Sequence, residues 1–203
     1  MATICIKIAR QIMLKRVIND IFQKLPSSLA GMANKGLTNF EKSLQFNRMA
    51  GMKLYGSVQH DIFDNKYDMD RVMGLIKEEV GELEVAVKNK DIVETVDALA
   101  DILYTVYNMG GTIGVDLDKA YDIVHKSNMS KFCQTQEIAQ STIDDYRYAR
   151  DNNLTTLRMT EKPSLRPTFD GKGWVVYDME NGRILKSNRW SPPDFTSLID
   201  NKN

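Results

Sequence analysis

Between Ile92 and Val106 the chain is apolar on most sides, through Ile92, Val93, Val96, Leu99, Ile102, Leu103 and Val106, yet it carries Glu94, Asp97 and Asp101 at i, i+3 and i+7. Helical periodicity places the three acids on one stripe, and the apolar surround predicts a deeply buried helix over about 91–109. A carboxylate withdrawn from water without a partner costs on the order of several kcal/mol, and neighbouring carboxylates repel one another further. No Lys or Arg lies on the segment itself. Such a helix needs a cation, supplied either by Lys or Arg from neighbouring elements or by a hard divalent metal.

The flanking sequence predicts more helices. Leu37, Phe40, Leu44 and Met49 recur at helical spacing up to Gly51. Asp68 or Asp70 caps a helix over about 70–89 with an apolar stripe of Val72, Leu75, Ile76, Leu83 and Val87. Gly110-Gly111 and Gly114 loosen or end the acidic helix, and Asp116 or Asp118 caps a fourth, running to about Phe132. Short connections favour antiparallel neighbours, so the fold class is all-α, an antiparallel helical bundle. The texture changes after Cys133: 135–150 is polar and helical, while 151–173, with Pro163, Pro167, Gly171 and Gly173, reads as loop and should pack more loosely. Residues 174–177 and 183–186 then form a small C-terminal β-hairpin around Asn181-Gly182. The domain organisation is an arm over 1–35, a helical domain over 36–134 and an extension over 135–203.

Balance of charge narrows the partners. The 203 residues hold 27 basic and 27 acidic side chains with no dense basic block, which argues against duplex nucleic acid. No apolar run approaches the roughly 20 residues that span a bilayer. Cys5 and Cys133 stand far apart without a CxxC, which fits a reducing, cytoplasmic setting. The arm carries Lys7, Arg10, Lys15, Arg16 and Lys24 among Ile, Leu, Val and Phe. It reads as an amphipathic surface helix on the body or on a partner chain, or as an organelle-targeting segment.

A second acidic cluster, Glu78, Glu79 and Glu82, lies on the preceding helix. Taken alone it is a solvated face; opposite Glu94, Asp97 and Asp101 it forms half of an oxygen-only donor set. Such a set suits Mg2+, or Mn2+, which keeps several waters and bridges carboxylates to substrate phosphates. A di-iron carboxylate bundle would require Glu-x-x-His on two helices, whereas the chain has only His60 and His125.

These residues resemble the all-alpha nucleoside triphosphate pyrophosphohydrolases, also called MazG-like. The signature of that superfamily, two adjacent Glu and a third three positions on, then Glu-x-x-Asp, is matched by Glu78-Glu79-Val80-Gly81-Glu82 and Glu94-Thr95-Val96-Asp97. Two longer strings, 97–104 and 125–131, are similar to a phosphoribosyl-ATP pyrophosphohydrolase-like branch. The resemblance covers roughly 37–134, with the tail around 186–194 also similar. It implies Mg2+-dependent hydrolysis of a nucleoside triphosphate between the α and β phosphates, in a homodimer or homotetramer.

The same resemblance implies the site. Glu79, Glu82 and Asp97 hold the metal, and Glu78 or Glu94 serves the attacking water or a second metal. Aligned on the Asp101-Ile102-Leu103-Tyr104 string, Asp101 takes the place of Asp97, so both aspartates are candidate ligands. Asn128 and Lys131, with Lys126 beside them, contact the substrate; a Lys near a helix C-terminus serves equally well as a dipole partner. Trp174 and Trp190 either stack on a base or anchor the tail. The opposing reading is a helical binding module whose acids sit in structural salt bridges.

Overall fold

The computed structural model describes residues 36–154 and 162–200. The chain divides into Met1–Thr38 and a body over Asn39–Asn203. The arm over 1–35 lies outside the described residues.

The body is mostly helical, with a two-stranded antiparallel sheet near its C-terminus. Helices α1 (Asn39–Met49), α2 (Lys66–Asn89), α3 (Ile92–Ile113), α4 (Leu117–Met129) and α5 (Gln136–Asp151) are followed by strands β1 (Pro163–Pro167) and β2 (Trp174–Asp178) and a last turn, α6 (Thr196–Ile199). Among the described residues no helix is long and apolar enough to cross a membrane.

Local chemistry sets the helix ends. Asn65, and neither Asp68 nor Asp70, caps α2, its side chain accepting from the Asp68 N–H. The α2–α3 connection is Lys90, in the left-handed region, and Asp91, whose carboxylate accepts from the Val93 and Glu94 N–H groups. Asp116 caps α4 and Thr135 caps α5 in the same way. A connection this short forces α2 and α3 to lie side by side and antiparallel, which brings the two acidic segments together.

Helix α3 corrects two expectations. It runs past the expected end near 109, through Gly110-Gly111, to Ile113, and of the three glycines it is Gly114, with a φ of 79°, that closes it. Those two glycines serve close packing: a Cβ at Gly111 would lie 2.3 Å from Leu44 Cδ2, and one at Gly110 would lie 2.5 Å from Leu117 Cγ. Nor is α3 deeply buried. Ala98 and Asn108 face inward, but Ile92 (72% exposed), Val93 (71%), Val96 (60%) and Leu103 (57%) stand in solvent in the single chain. The face toward α1 is held by Phe40 against Tyr107, Phe46 edge-on to Tyr104 and the Ser43 hydroxyl donating to the Tyr104 carbonyl.

The extension is also corrected. Residues 163–167 form the strand that pairs with β2, from Pro163 opposite Asp178 to Pro167 opposite Trp174. Prolines at both ends of an edge strand are tolerated because the missing N–H groups interrupt no inner ladder. The 183–186 segment meets the other side of β2 through an isolated bridge, Tyr177 to Ile184, with the Leu185 N–H donating to the Val176 carbonyl. Ala139, Ile143 and Tyr146 of α5 form one cluster with Cys133, Val176 and Leu185, and Leu165 of β1 packs against it. Ser127 and Ser187 then tie the tail to α4, their hydroxyls donating to the Ser191 and Ser130 carbonyls.

Gly114 gives a direct test. Its positive φ and a Cβ position 1.9 Å from the Ser57 carbonyl oxygen forbid a side chain without backbone movement. Gly114→Ala is expected to lose at least about 2 kcal/mol in denaturant melts. The cost for Gly171→Ala, which has positive φ but nothing within 4 Å, should be nearer about 1 kcal/mol.

Candidate active site

Helix α2 presents Glu78, Glu79 and Glu82 beside the α3 acids, and Glu79 is the centre of the group. Half-buried, its carboxyl is pushed up to about 7 from an ordinary 4.5, first by loss of water and then by the charges of Asp101, Glu82, Glu78 and Asp97. Among the described residues, the groups that act on Glu79 are all acidic. Desolvation next to four like charges is an electrostatic deficit that a cation would relieve. Glu82 is half-buried as well, whereas Glu78, Glu94, Asp97 and Asp101 are exposed, so the cost of burial falls on the α2 side of the pair.

This arrangement orders the two candidate aspartates. Asp101 is the strongest charged neighbour of Glu79 and Asp97 the weakest of the four. Antiparallel pairing about the Lys90-Asp91 turn explains it, because Glu79 and Asp101 lie at nearly equal distances in sequence from that turn. Glu94 shares the stripe but sits in the first turn of α3, where its N–H is tied to Asp91, and it is not among the groups that shift Glu79.

The donor set is compatible with Mg2+ by its chemistry: every side chain offers oxygen, and Glu79 and Glu82 are partly buried. Among the described residues, no three of the acidic, His or Cys side chains close around one point tightly enough to enclose an ion by themselves. Mg2+ makes no such demand, since it is bound through one or two carboxylates and completes its octahedron with waters and substrate phosphate.

At the end of α4, Lys131 Nζ donates to Asn128 Oδ1 at 2.7 Å, so two of the three candidate substrate contacts form a unit. Lys126 is exposed one turn earlier. Ser127 and Ser130 of the same string are used for structure, anchoring the tail. Trp190 is covered by the Lys186 ammonium, 3.4 Å from its ring, which favours the anchoring role over stacking on a base. Periodicity of apolar residues does not single out the polar groups buried with α1 and α3, namely Ser43, Asn47, Asn108 and Thr112. Their helical spacing, i and i+4 in each pair, is the signal that marks them.

Comparison with known proteins agrees with the resemblance carried by the acidic strings. Residues 55–128 match the phosphoribosyl-ATP pyrophosphohydrolase family, which belongs to the MazG-like all-alpha superfamily. The chain is also 32% identical over 145 residues to an uncharacterized protein of Acanthamoeba polyphaga mimivirus. That similarity covers 71% of this chain and 55% of the viral protein, so the chain spans little more than half the length of its relative.

Glu79 also makes the metal-free protein sensitive to pH. Between pH 4.5 and about 7 the unfolded chain has released this proton while the folded chain retains it, so unfolding releases a proton. Stability of the EDTA-treated protein should therefore fall as pH rises through that window and level off above it. Glu79→Gln should flatten the decline, measured as Tm against pH.

Proposed function

With residues 55–128 falling in the phosphoribosyl-ATP pyrophosphohydrolase family, we propose that this protein hydrolyses a deoxynucleoside triphosphate between its α and β phosphates, giving the monophosphate and pyrophosphate. The observation that carries the reading is the carboxyl of Glu79, desolvated and surrounded by acids from two helices. Among the described residues, the groups that shift Glu79 are all carboxylates, which supports a site for a cation.

In this reading Glu79, Glu82, Asp97 and Asp101 hold Mg2+, with Mn2+ a workable substitute. When bound, the ion neutralises charge on the triphosphate. Glu78 or Glu94 orients the attacking water and accepts its proton, both being exposed at the edge of the acidic group. Asn128 and Lys131, already hydrogen-bonded to each other, meet the phosphate oxygens as one polar and one charged contact. Phosphoribosyl-ATP, the substrate that names the family, is the second candidate. The built extension beyond the matched segment favours the first.

The active form is a homodimer or a dimer of dimers. Ile92, Val96, Leu99 and Leu103 recur at i, i+4, i+7 and i+11, on the side of α3 opposite the acidic stripe, and all are exposed in the single chain. A contiguous apolar stripe of this kind on a helix exceeds the scattered exposure of a monomer surface, and a two-fold axis lets it cover itself.

Glu79→Gln and Asp101→Asn should each lower pyrophosphate release at least about 100-fold, with the helical circular dichroism unchanged; full turnover in both would refute the assignment. Leu99→Lys with Leu103→Lys should halve the mass seen by light scattering, whereas an unchanged mass would remove α3 from the interface.

A further inference from the structure

A cleft of about 930 Å3 lies between the end of α4 and the β1–β2 hairpin, and none of the α2 or α3 carboxylates lines it. The volume is that of a small-molecule site, which typically takes about 300–1,000 Å3. Its wall is largely apolar, with Phe132 and Ile138, while Arg166, Lys172 and Arg189 contribute three cations. All three are exposed, and none forms an ion pair with a described residue. The acid of the lining, Asp170, is engaged: its carboxylate accepts from the Thr168 hydroxyl at 2.6 Å and from the Lys172 N–H at 3.1 Å.

Phe169 supplies the second observation. The turn over 168–173 is built by the Thr168 N–H donating to the Gly173 carbonyl, the Gly171 N–H to the Thr168 carbonyl and the Gly173 N–H to the Thr168 hydroxyl. That fixed turn holds the Phe169 ring wholly in solvent, at 111% exposure, on the border of the cleft. A phenyl ring kept in water by a hydrogen-bonded loop adds nothing to the core, but it is well placed to receive a planar ring. Met129, Ser130 and Phe132 of the lining flank Lys131, so the cleft opens beside the Asn128–Lys131 pair.

The geometry points to a second, metal-independent binding site in this cleft, for a phosphorylated compound with a planar ring: phosphate on Arg166, Lys172 and Arg189, ring on Phe169. That the compound is a nucleotide rests on the function proposed above; the cations and the aromatic ring do not. Three cations against the one carboxylate of Asp170 leave the concavity net positive, which suits a single phosphate chain, and the chain as a whole carries no net positive charge to track a strand.

The test is equilibrium dialysis of the full chain in EDTA with dATP and, separately, inorganic tripolyphosphate. The structure predicts one dATP site per chain, weakened about tenfold or more by Arg166→Ala or Arg189→Ala and about fivefold or more by Phe169→Ala. Glu79→Gln should leave it unchanged. All three side chains are exposed; the Arg166 guanidinium also lies 5.3 Å from the Tyr177 ring centroid, so Arg189→Ala and Phe169→Ala are the variants that decide. No dATP binding in EDTA, binding lost in Glu79→Gln, or binding indifferent to the three cleft variants would each overturn the site. Tripolyphosphate held as tightly as dATP, with Phe169→Ala silent, would overturn it too. Failure of wild-type protein to release pyrophosphate would instead count against the proposed function and leave the dialysis result standing.

Discussion

The repulsion gathered around Glu79 is the constraint on which the rest of the body depends. Folding α2 against α3 places a half-buried carboxyl beside Asp101, Glu82, Glu78 and Asp97, an arrangement that opposes folding above mildly acidic pH. Such an arrangement has to be held by interactions elsewhere. The two-residue turn at Lys90-Asp91, its N-terminal cap on α3 and the packing of α1 through Phe40, Ser43 and Phe46 fix the helices that carry the acids. Strain at a site and stability away from it are then two sides of one fold.

The extension holds much of that stability. Ala139 and Val176 are wholly removed from solvent, and Tyr146 joins α5 to the tail through its hydroxyl, which accepts from the Lys186 N–H. Ser127, Ser130 and Ser187 bind the end of α4 to residues 187–191. The segment that carries Asn128 and Lys131 is therefore positioned by the extension, although the extension lies outside the 55–128 family match. The proposed chemistry on α2 and α3 and the proposed recognition near the end of α4 are supported by different parts of the molecule.

Helix periodicity predicts the first four long helices and the acidic strings name the candidate site, because period and charge are local properties of the sequence. The continuation of α3 through Gly110-Gly111 is not legible there, since the reason for those glycines is Leu44 and Leu117, distant in sequence and close in space. The exposure of Ile92 and Val96 shows the limit of composition: apolar residues on every side predict burial without naming what does the burying. Strand β1 is hidden by its two prolines, although Asp170-Gly171 between two short runs is a hairpin signal of the ordinary kind. The choice between Asp97 and Asp101 needs the pairing register of α2 and α3, which no spacing within one helix contains.

The most direct measurement is product analysis of the wild-type protein on a panel of deoxynucleoside and ribonucleoside triphosphates and phosphoribosyl-ATP, with Mg2+ or with EDTA, resolving pyrophosphate from orthophosphate. The carboxylates gathered at Glu79 predict pyrophosphate in Mg2+, none in EDTA and one preferred deoxynucleotide. Orthophosphate release, activity that survives EDTA, or folded protein inert toward every compound would contradict it.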